Sequence, residues 1–302
     1  MNIVSFLEIL DDINGEISQA GNWNAYTRLL LLPQKQQIAK ICYKNYDVWK
    51  RNLTNLKLIS NQLKSEDFPE LVLPNELVEH NGNIVGYIMP YVEGITLDKI
   101  LQSKGSNTHC ILSVFDQLAS VINRLPANIH IGDLHSQNVI VTNNGNAYVI
   151  DVDGFSADNG FTMTCPLCFN DSISNQLPQK KYFNDDKSVK ISINTDIYCL
   201  IEIFFTWMFD GINPLHFSES KWKLFIEYLR VKGIQKQVLN MIERLRSEEG
   251  NYLIESPFAS FGNQLSNISY DDYLSIMGIQ GEEKIYAKYI NRIIEESRRK
   301  NG

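Results

Sequence analysis

Residues 130–155 read HIGDLHSQNVIVTNNGNAYVIDVDGF, and this stretch decides the fold that we predict. It contains two short apolar runs, Val-Ile-Val at 139–141 and Tyr-Val-Ile at 148–150, separated by Asn-Asn-Gly-Asn at 143–146. Asn and Gly adopt a positive φ at low cost, so they favour a tight turn between two strands. The stretch therefore predicts a β-hairpin.

Acidic and amide side chains stand at both outer ends of the predicted hairpin. Asp133 and Asn138 precede its first strand, while Asp151 and Asp153 follow its second strand. Because a hairpin brings its outer ends together, we expect Asp133, Asn138 and Asp151 to converge. Carboxylate and amide oxygens suit a hard divalent cation such as Mg²⁺, and a further carboxylate can accept the proton of a substrate hydroxyl. The pattern indicates phosphoryl transfer.

The sequences GDLHSQN at 132–138 and IDVDGF at 150–155 resemble the catalytic loop and the metal-binding turn of the protein-kinase-like superfamily. Asn138 follows Asp133 at the spacing of that family's pattern. The resemblance implies that Asp133 is the catalytic base and that Asn138 and Asp151 are metal ligands, with ATP and Mg²⁺ as cofactors. It also implies an α+β, two-lobed fold in which 1–302 form one domain, with a small β-rich N-lobe at 1–91 and a larger, mostly helical C-lobe at 92–302.

Two candidates for phosphate binding lie near the N-terminus. The run QIAKICY at 37–43 alternates like a strand and resembles the family's strand whose lysine contacts the α- and β-phosphates, which makes Lys40 the candidate and Lys44 its nearest competitor. The run QAGNWNAY at 19–26 stands where the family has its Gly-rich loop, and only Gly21 is a glycine there. An ordinary surface turn explains the second run equally well.

The run IVGYIMPYVEG at 84–94 resembles the last N-lobe strand and the hinge that binds adenine. Met89 would be the gatekeeper, and backbone groups around Pro90 to Val92, including those of Tyr91, would bond the adenine ring. A strand that ends in a plain turn is the alternative for this run.

A helix predicted at 46–63 departs from the family pattern. Kinases carry a Glu there that pairs with the strand lysine, whereas no Glu stands in this stretch and Asn52 occupies the corresponding position. Two interpretations stay open: the protein lacks an active state, or Lys40 is held in a different way.

The substrate class rests on finer features of the motifs. The I-D-V-D-G-F ending and Cys165-Pro166 resemble atypical bacterial Ser/Thr protein kinases of the helix-hairpin-helix and tellurite-operon-associated group, and a matching start of the central C-lobe helix at 194–200 favours the protein-kinase branch. The resemblance implies a protein Ser/Thr kinase capable of autophosphorylation. His135 is shared instead with aminoglycoside and choline phosphotransferases, so a small-molecule phosphotransferase is one alternative. A nucleotide-binding pseudokinase that acts as an interaction module is the other.

Composition limits the partners and the compartment. The net charge of −7, without a basic run, gives no indication of nucleic-acid binding. No apolar run approaches the length of a membrane span, and the first residues lack the pattern of a signal peptide. Five scattered Cys residues indicate a reducing compartment, so we expect a cytoplasmic protein without membrane contacts.

Cys165 and Cys168 form a single CxxC, for which packing, zinc binding and redox sensing are all open. The sequence does not predict an oligomeric state.

Overall fold

The computed structural model describes residues 1–14, 16–17, 27–42, 46–103, 107–157 and 177–262, together with residues 264, 268, 273 and 278. Gly21, Lys44 and the CxxC of Cys165 and Cys168 lie outside the described residues. The described chain is a mixed α/β structure, with a sheet in its first 90 residues and most of its helices after them.

Six strands form the main sheet: β1 (Asn2–Ser5), β2 (Glu16–Ile17), β3 (Thr27–Leu32), β4 (Gln37–Cys42), β5 (Glu76–His80) and β6 (Asn83–Pro90). Their order across the sheet is β1-β5-β6-β4-β3-β2. Strands β1 and β5 are parallel, and the other neighbours are antiparallel. The strands predicted around Lys40 and Met89 are confirmed as β4 and β6, which pair with each other.

The two faces of the sheet pack against different cores. Successive side chains of a strand point to opposite faces, so Lys40 shares a face with Ile38 and Cys42. Ile38 and Cys42 belong to the main core of the protein. Ala39, on the opposite face, belongs to a small second cluster beside α1 (Phe6–Ile9). Lys40 therefore points towards the rest of the molecule, where the hairpin lies.

The helices that follow are α2 (Tyr46–Gln62), α3 (Leu97–Gln102), α4 (Thr108–Arg124), α5 (Gln179–Tyr182), α6 (Ile193–Met208), α7 (Glu219–Val231), α8 (Lys236–Arg244) and α9 (Ala259–Gly262). Helices α4 and α6 cross at the centre of the core, where the rings of Phe115 and Phe204 meet edge to face at 5.2 Å. The predicted helix at 46–63 is confirmed as α2. In the part of the chain that is described, no helix is long and apolar enough to cross a membrane.

The predicted hairpin is confirmed as β9 (Val139–Val141) and β10 (Ala147–Val149), which are antiparallel. Gly145 in its turn has a φ of 82°, the conformation for which glycine is suited. Gln117 of α4 holds this turn, because its side chain donates to the carbonyl of Gly145 and accepts from the N–H of Ala147, both at 2.9 Å. Strand β7 (Ile95–Thr96) extends the hairpin beside β9. Outside it, β8 (Ile129–His130) pairs with β11 (Ser156–Ala157), so the two ends of the decisive stretch also meet.

Candidate functional site

The loop between β8 and β9 carries Asp133 and is fixed from the start of α6. Both carboxylate oxygens of Asp196 accept backbone N–H groups of this loop, from Ile131 and from Gly132, each at 2.9 Å. Gly132 has a φ of 74°, which glycine adopts without strain. Burial raises the pKa of Asp196 to about 7, although the two N–H groups act in the opposite direction. Asp196 therefore anchors the backbone of this loop.

Asn138 connects the loop to the far end of the hairpin. Its side-chain nitrogen donates to the carbonyl of Asp133 at 3.1 Å, and its own carbonyl accepts the N–H of Ile150 at 2.9 Å. Ile150 directly precedes Asp151, so Asn138 links the backbone of Asp133 to the residue before Asp151. Because the amide nitrogen is engaged, the amide oxygen is the atom that Asn138 can offer to a ligand.

Asp151 begins a tight turn that packs against the loop. Its φ of 68° lies in the left-handed region, and a short 3₁₀ turn, Val152–Gly154, follows it. A Cβ added at Gly154 would lie 3.8 Å from the Cβ of Asp133. The outer ends of the hairpin therefore meet as predicted, and Asp133, Asn138 and Asp151 are brought together.

Lys40 reaches this turn from the sheet. Its ammonium group donates to Oδ1 of Asp151 and, at 2.8 Å, to Oδ1 of Asp153. The hydroxyl of Tyr87 on β6 donates to the same oxygen of Asp153 at 2.7 Å. Lys40 is 3% exposed, so its ammonium group is shielded from water.

The electrostatics of the cluster favour a charged lysine. Burial lowers the pKa of Lys40, but Asp151 and Asp153 outweigh it and hold the pKa well above its ordinary value. Burial raises the pKa of Asp151, yet the charge of Lys40 leaves it below its ordinary range. Burial raises the pKa of Asp153 in spite of Lys40. Lys40 and Asp151 therefore form an ion pair at neutral pH.

Helix α2 contacts the site through a residue that the sequence did not indicate. Asn52 is half-buried and is not a partner of Lys40 among the described residues. Asn55, one helical turn later, is buried, donates to the carbonyl of Phe155 and accepts the N–H of Ala157 at 3.2 Å. Of the two interpretations left open by the missing Glu, the geometry matches the one in which Lys40 is held differently.

Asp153 and Tyr87 are the other two residues that the sequence analysis missed. The only signal for Asp153 was a second acidic residue two positions after Asp151. For Tyr87 no signal existed beyond its place in a strand that pairs with β4, where Lys40 and Tyr87 stand directly opposite each other.

The predicted hinge begins where β6 ends, at Pro90. Met89 is buried in the main core, whereas Tyr91 is largely exposed. The N–H of Tyr91 donates to the carbonyl of Gln36 at 3.0 Å, so the sheet already uses it. Val92 packs against the core and is the remaining predicted hinge residue whose N–H could bond an adenine ring.

His135 lies beside the candidate base, with its Nε2 atom 3.8 Å from Oδ2 of Asp133. Burial lowers the pKa of His135, although Asp133 and Asp98 act to raise it. Its buried Nδ1 atom has no hydrogen-bond partner among the described residues. The imidazole is therefore neutral at pH 7.

The donor set fits Mg²⁺ better than a transition metal. Within the described ranges, no three side chains of His, Cys, Asp or Glu cluster closely enough to hold a metal ion by themselves. Asn138 and Asp151 would supply one amide oxygen and one carboxylate. Mg²⁺ is commonly bound through one or two such groups, with water and phosphate oxygens completing its octahedron.

Comparison of the chain with protein-family models gives no match, and comparison with curated proteins gives none either.

Proposed function

We propose that this protein is an ATP- and Mg²⁺-dependent phosphotransferase with a two-lobed, protein-kinase-like fold, and that it phosphorylates Ser or Thr of protein substrates. The observation that carries the proposal is the convergence of Asp133, Asn138 and Asp151 at the outer ends of one hairpin, with the ammonium of Lys40 bonded to Asp151. The sheet at residues 2–90 and the helices after residue 96 would be the two lobes.

Each residue has a role that follows from its position. A bound Mg²⁺ would supply positive charge that neutralises the phosphates. Asn138 and Asp151 would hold that ion, and Lys40 would orient the phosphates. Asp133 would accept the proton as the substrate hydroxyl oxygen forms its bond to phosphorus and the bond to ADP breaks. Asp151 is 29% exposed, so the proposed ligand can be reached from outside the buried cluster.

The test is incubation with γ-³²P-labelled ATP and Mg²⁺, with casein as a general Ser/Thr acceptor. We expect the wild type to label itself or casein. Asp133→Asn should lose at least about 100-fold of the rate, as is usual when a positioned proton acceptor is removed. Asp151→Asn should also lose activity, because it removes a proposed metal ligand. Asp133→Asn should keep Mg²⁺-dependent ATP binding, because it leaves both proposed metal ligands in place.

The control is Asp116→Asn, because Asp116 accepts the backbone N–H groups of Phe258 and Ala259 at the start of α9 and lies outside the proposed site. This control should transfer phosphate like the wild type. Equal labelling of the wild type, Asp133→Asn and Asp151→Asn would contradict the assignment of the site. ATP binding without turnover in the wild type would favour a pseudokinase.

His135 lies beside Asp133 and resembles the histidine that aminoglycoside and choline phosphotransferases carry in this loop. This residue favours a second candidate function, a phosphotransferase that acts on small hydroxylated molecules. This candidate predicts ADP release that depends on an added amine, sugar or nucleoside, without labelled protein. A screen of such compounds by ADP release separates the two functions.

A further inference from the structure

The D-x-D turn, Asp151 to Asp153, presents two carboxylates to Lys40 in different surroundings. Asp153 is 8% exposed, and its Oδ1 atom accepts from both Lys40 and Tyr87. Asp151 is 29% exposed and lies towards Asp133 and Asn138. One carboxylate is therefore enclosed by the sheet, whereas the other borders the site.

This difference separates the tasks that the two carboxylates can perform. Asp151 directly follows Ile150, whose N–H donates to the backbone carbonyl of Asn138, and Asp151 is the more exposed of the two carboxylates. It is therefore the one that could share a cation with the side-chain amide of Asn138. Asp153 is held in the interior by hydrogen bonds from Lys40 and from Tyr87. The bond from Tyr87 would therefore hold Asp153 even without Lys40. A carboxylate that binds a cation bonds an ammonium group more weakly, so Lys40 would depend on Asp153 whenever Asp151 engages a metal.

Among the side chains of helix α2 that the structure describes, none offers a competing anchor. The polar contact of α2 with this region that the structure describes runs through Asn55, which bonds the backbone of Phe155 and Ala157, just after the D-x-D turn. Asn52 lies one turn earlier and does not contact the ammonium group.

We propose that Asp153 is the positioning residue of Lys40 and that it takes the place of the Glu which helix α2 lacks. Asp153 holds the ammonium group in place both when Asp151 is paired with Lys40 and when Asp151 serves a metal. Lys40 is therefore fixed by the sheet and the D-x-D turn, independently of any movement of α2. The importance of this contact for nucleotide binding rests on the proposed function. Whether Asp153 holds Lys40 can be tested without nucleotide.

The first experiment measures the reactivity of Lys40 towards acetic anhydride, followed by mass spectrometry, on the full chain without nucleotide. Loss of one charge-assisted hydrogen bond changes an equilibrium by on the order of tenfold or more, so Asp153→Asn should accelerate acetylation of Lys40 about tenfold. Tyr87→Phe removes the hydroxyl that holds Asp153 and should produce a smaller acceleration. Asn52→Ala is the matched control on α2 and should leave the rate unchanged.

Circular dichroism of each variant shows whether it is folded. If Asp153→Asn does not fold, the acetylation rate of Tyr87→Phe still tests the proposal. An unchanged acetylation rate in both folded variants would overturn the proposal. An acceleration by Asn52→Ala equal to that of Asp153→Asn would overturn it as well, because it would make α2 the anchor.

The second experiment measures the Kd of Mg²⁺–ATP in a double-mutant cycle of Lys40→Met and Asp153→Asn. If Asp153 acts through Lys40, Asp153→Asn should weaken binding about tenfold in the wild-type background and leave it unchanged when Met replaces Lys40. Additive losses would indicate a merely structural role and overturn the inference. A wild type that binds no nucleotide would refute the proposed function alone, since the acetylation result would still decide how Lys40 is held.

Discussion

Asp196→Asn is the sharpest test of how the loop of Asp133 is held. Asn keeps one acceptor oxygen, but it turns an NH₂ group towards one of the N–H groups of Ile131 and Gly132. The variant thus loses one hydrogen bond to a partly charged acceptor, worth about 1–2 kcal/mol, and leaves a buried N–H unsatisfied, which costs about 1–3 kcal/mol. Since the two effects overlap, we expect the free energy of unfolding to fall by about 2–4 kcal/mol at pH 7.

The same substitution should change how stability depends on pH. The pKa of Asp196 in the folded protein, about 7, lies above its ordinary value of 3.8, so the folded state binds this proton more tightly than the unfolded state. The resulting stabilisation is complete below pH 3.8 and is lost as the pH rises through 7. As the pH rises from 5 to 7, the titration of Asp196 alone should lower the free energy of unfolding by up to about 1.4 kcal/mol per pH unit. The variant cannot titrate at this position, so its disadvantage should be larger at pH 5 than at pH 8.

The assay is urea unfolding followed by far-UV circular dichroism at pH 5, 6, 7 and 8, with wild type and variant measured side by side. Subtracting the two curves removes the contributions of the other titrating groups. Asp116→Asn is the control, because Asp116 also accepts two backbone N–H groups, at 2.8 and 3.0 Å, but is only half-buried. The loss of stability in Asp116→Asn should be smaller, since water can reach the N–H groups that lose their acceptor.

A loss below about 1 kcal/mol at Asp196 would refute the anchoring role, since even a single hydrogen bond averages that much. A disadvantage that grows from pH 5 to pH 8 would show that the N–H groups, and not burial, control this carboxyl group.

Two further substitutions test the contacts around Lys40. Gly86→Ala should lower the free energy of unfolding by about 1–3 kcal/mol, as overpacking does, because the new Cβ would lie 2.4 Å from the carbonyl oxygen of Lys40. Urea unfolding measures this loss. Gly250→Ala is the control and should change the free energy of unfolding little, because its new Cβ meets only an atom at 3.9 Å. Asn55→Ala should lower it by about 2–4 kcal/mol, since a buried carbonyl and a buried N–H lose their partner. Faster hydrogen exchange at the amide of Ala157 should accompany that loss, and slow exchange in the variant would contradict the contact.

The sequence was informative where one local pattern determines the structure. The Asn-Gly turn and its flanking apolar runs predicted the hairpin, and the hairpin alone brought Asp133, Asn138 and Asp151 together. The alternation around Lys40 predicted β4 for the same reason, because a period of two residues is a direct property of the strand.

The residues that the sequence analysis missed depend on distant contacts. Lys40 and Asp153 are separated by 113 positions, so no local pattern could pair them. On α2, Asn52 and Asn55 both carry an amide, and only the packing of the helix decides that Asn55 is the buried one. At the hinge, the N–H of Tyr91 donates a hydrogen bond to the carbonyl of Gln36. Gln36 has a φ of 52°, a conformation that its residue type does not predict.

The cluster around Lys40 is explained better by a function than by stability. Removing an ammonium and two carboxylates from water costs several kcal/mol per ion, and apolar side chains of similar volume often stabilise a core as well or better. Here Lys40 and Asp153 are almost fully enclosed, and the hydroxyl of Tyr87 is used to complete the bonds of Asp153. The cost is reduced by these bonds, but they do not make the arrangement preferable to a hydrophobic one. What the cluster does provide is an ammonium group fixed on one side by Asp153 and facing, on the other, a carboxylate that is 29% exposed. A lysine held in that way can be offered to an anionic ligand without first being ordered, and this is the property that orientation of phosphates requires.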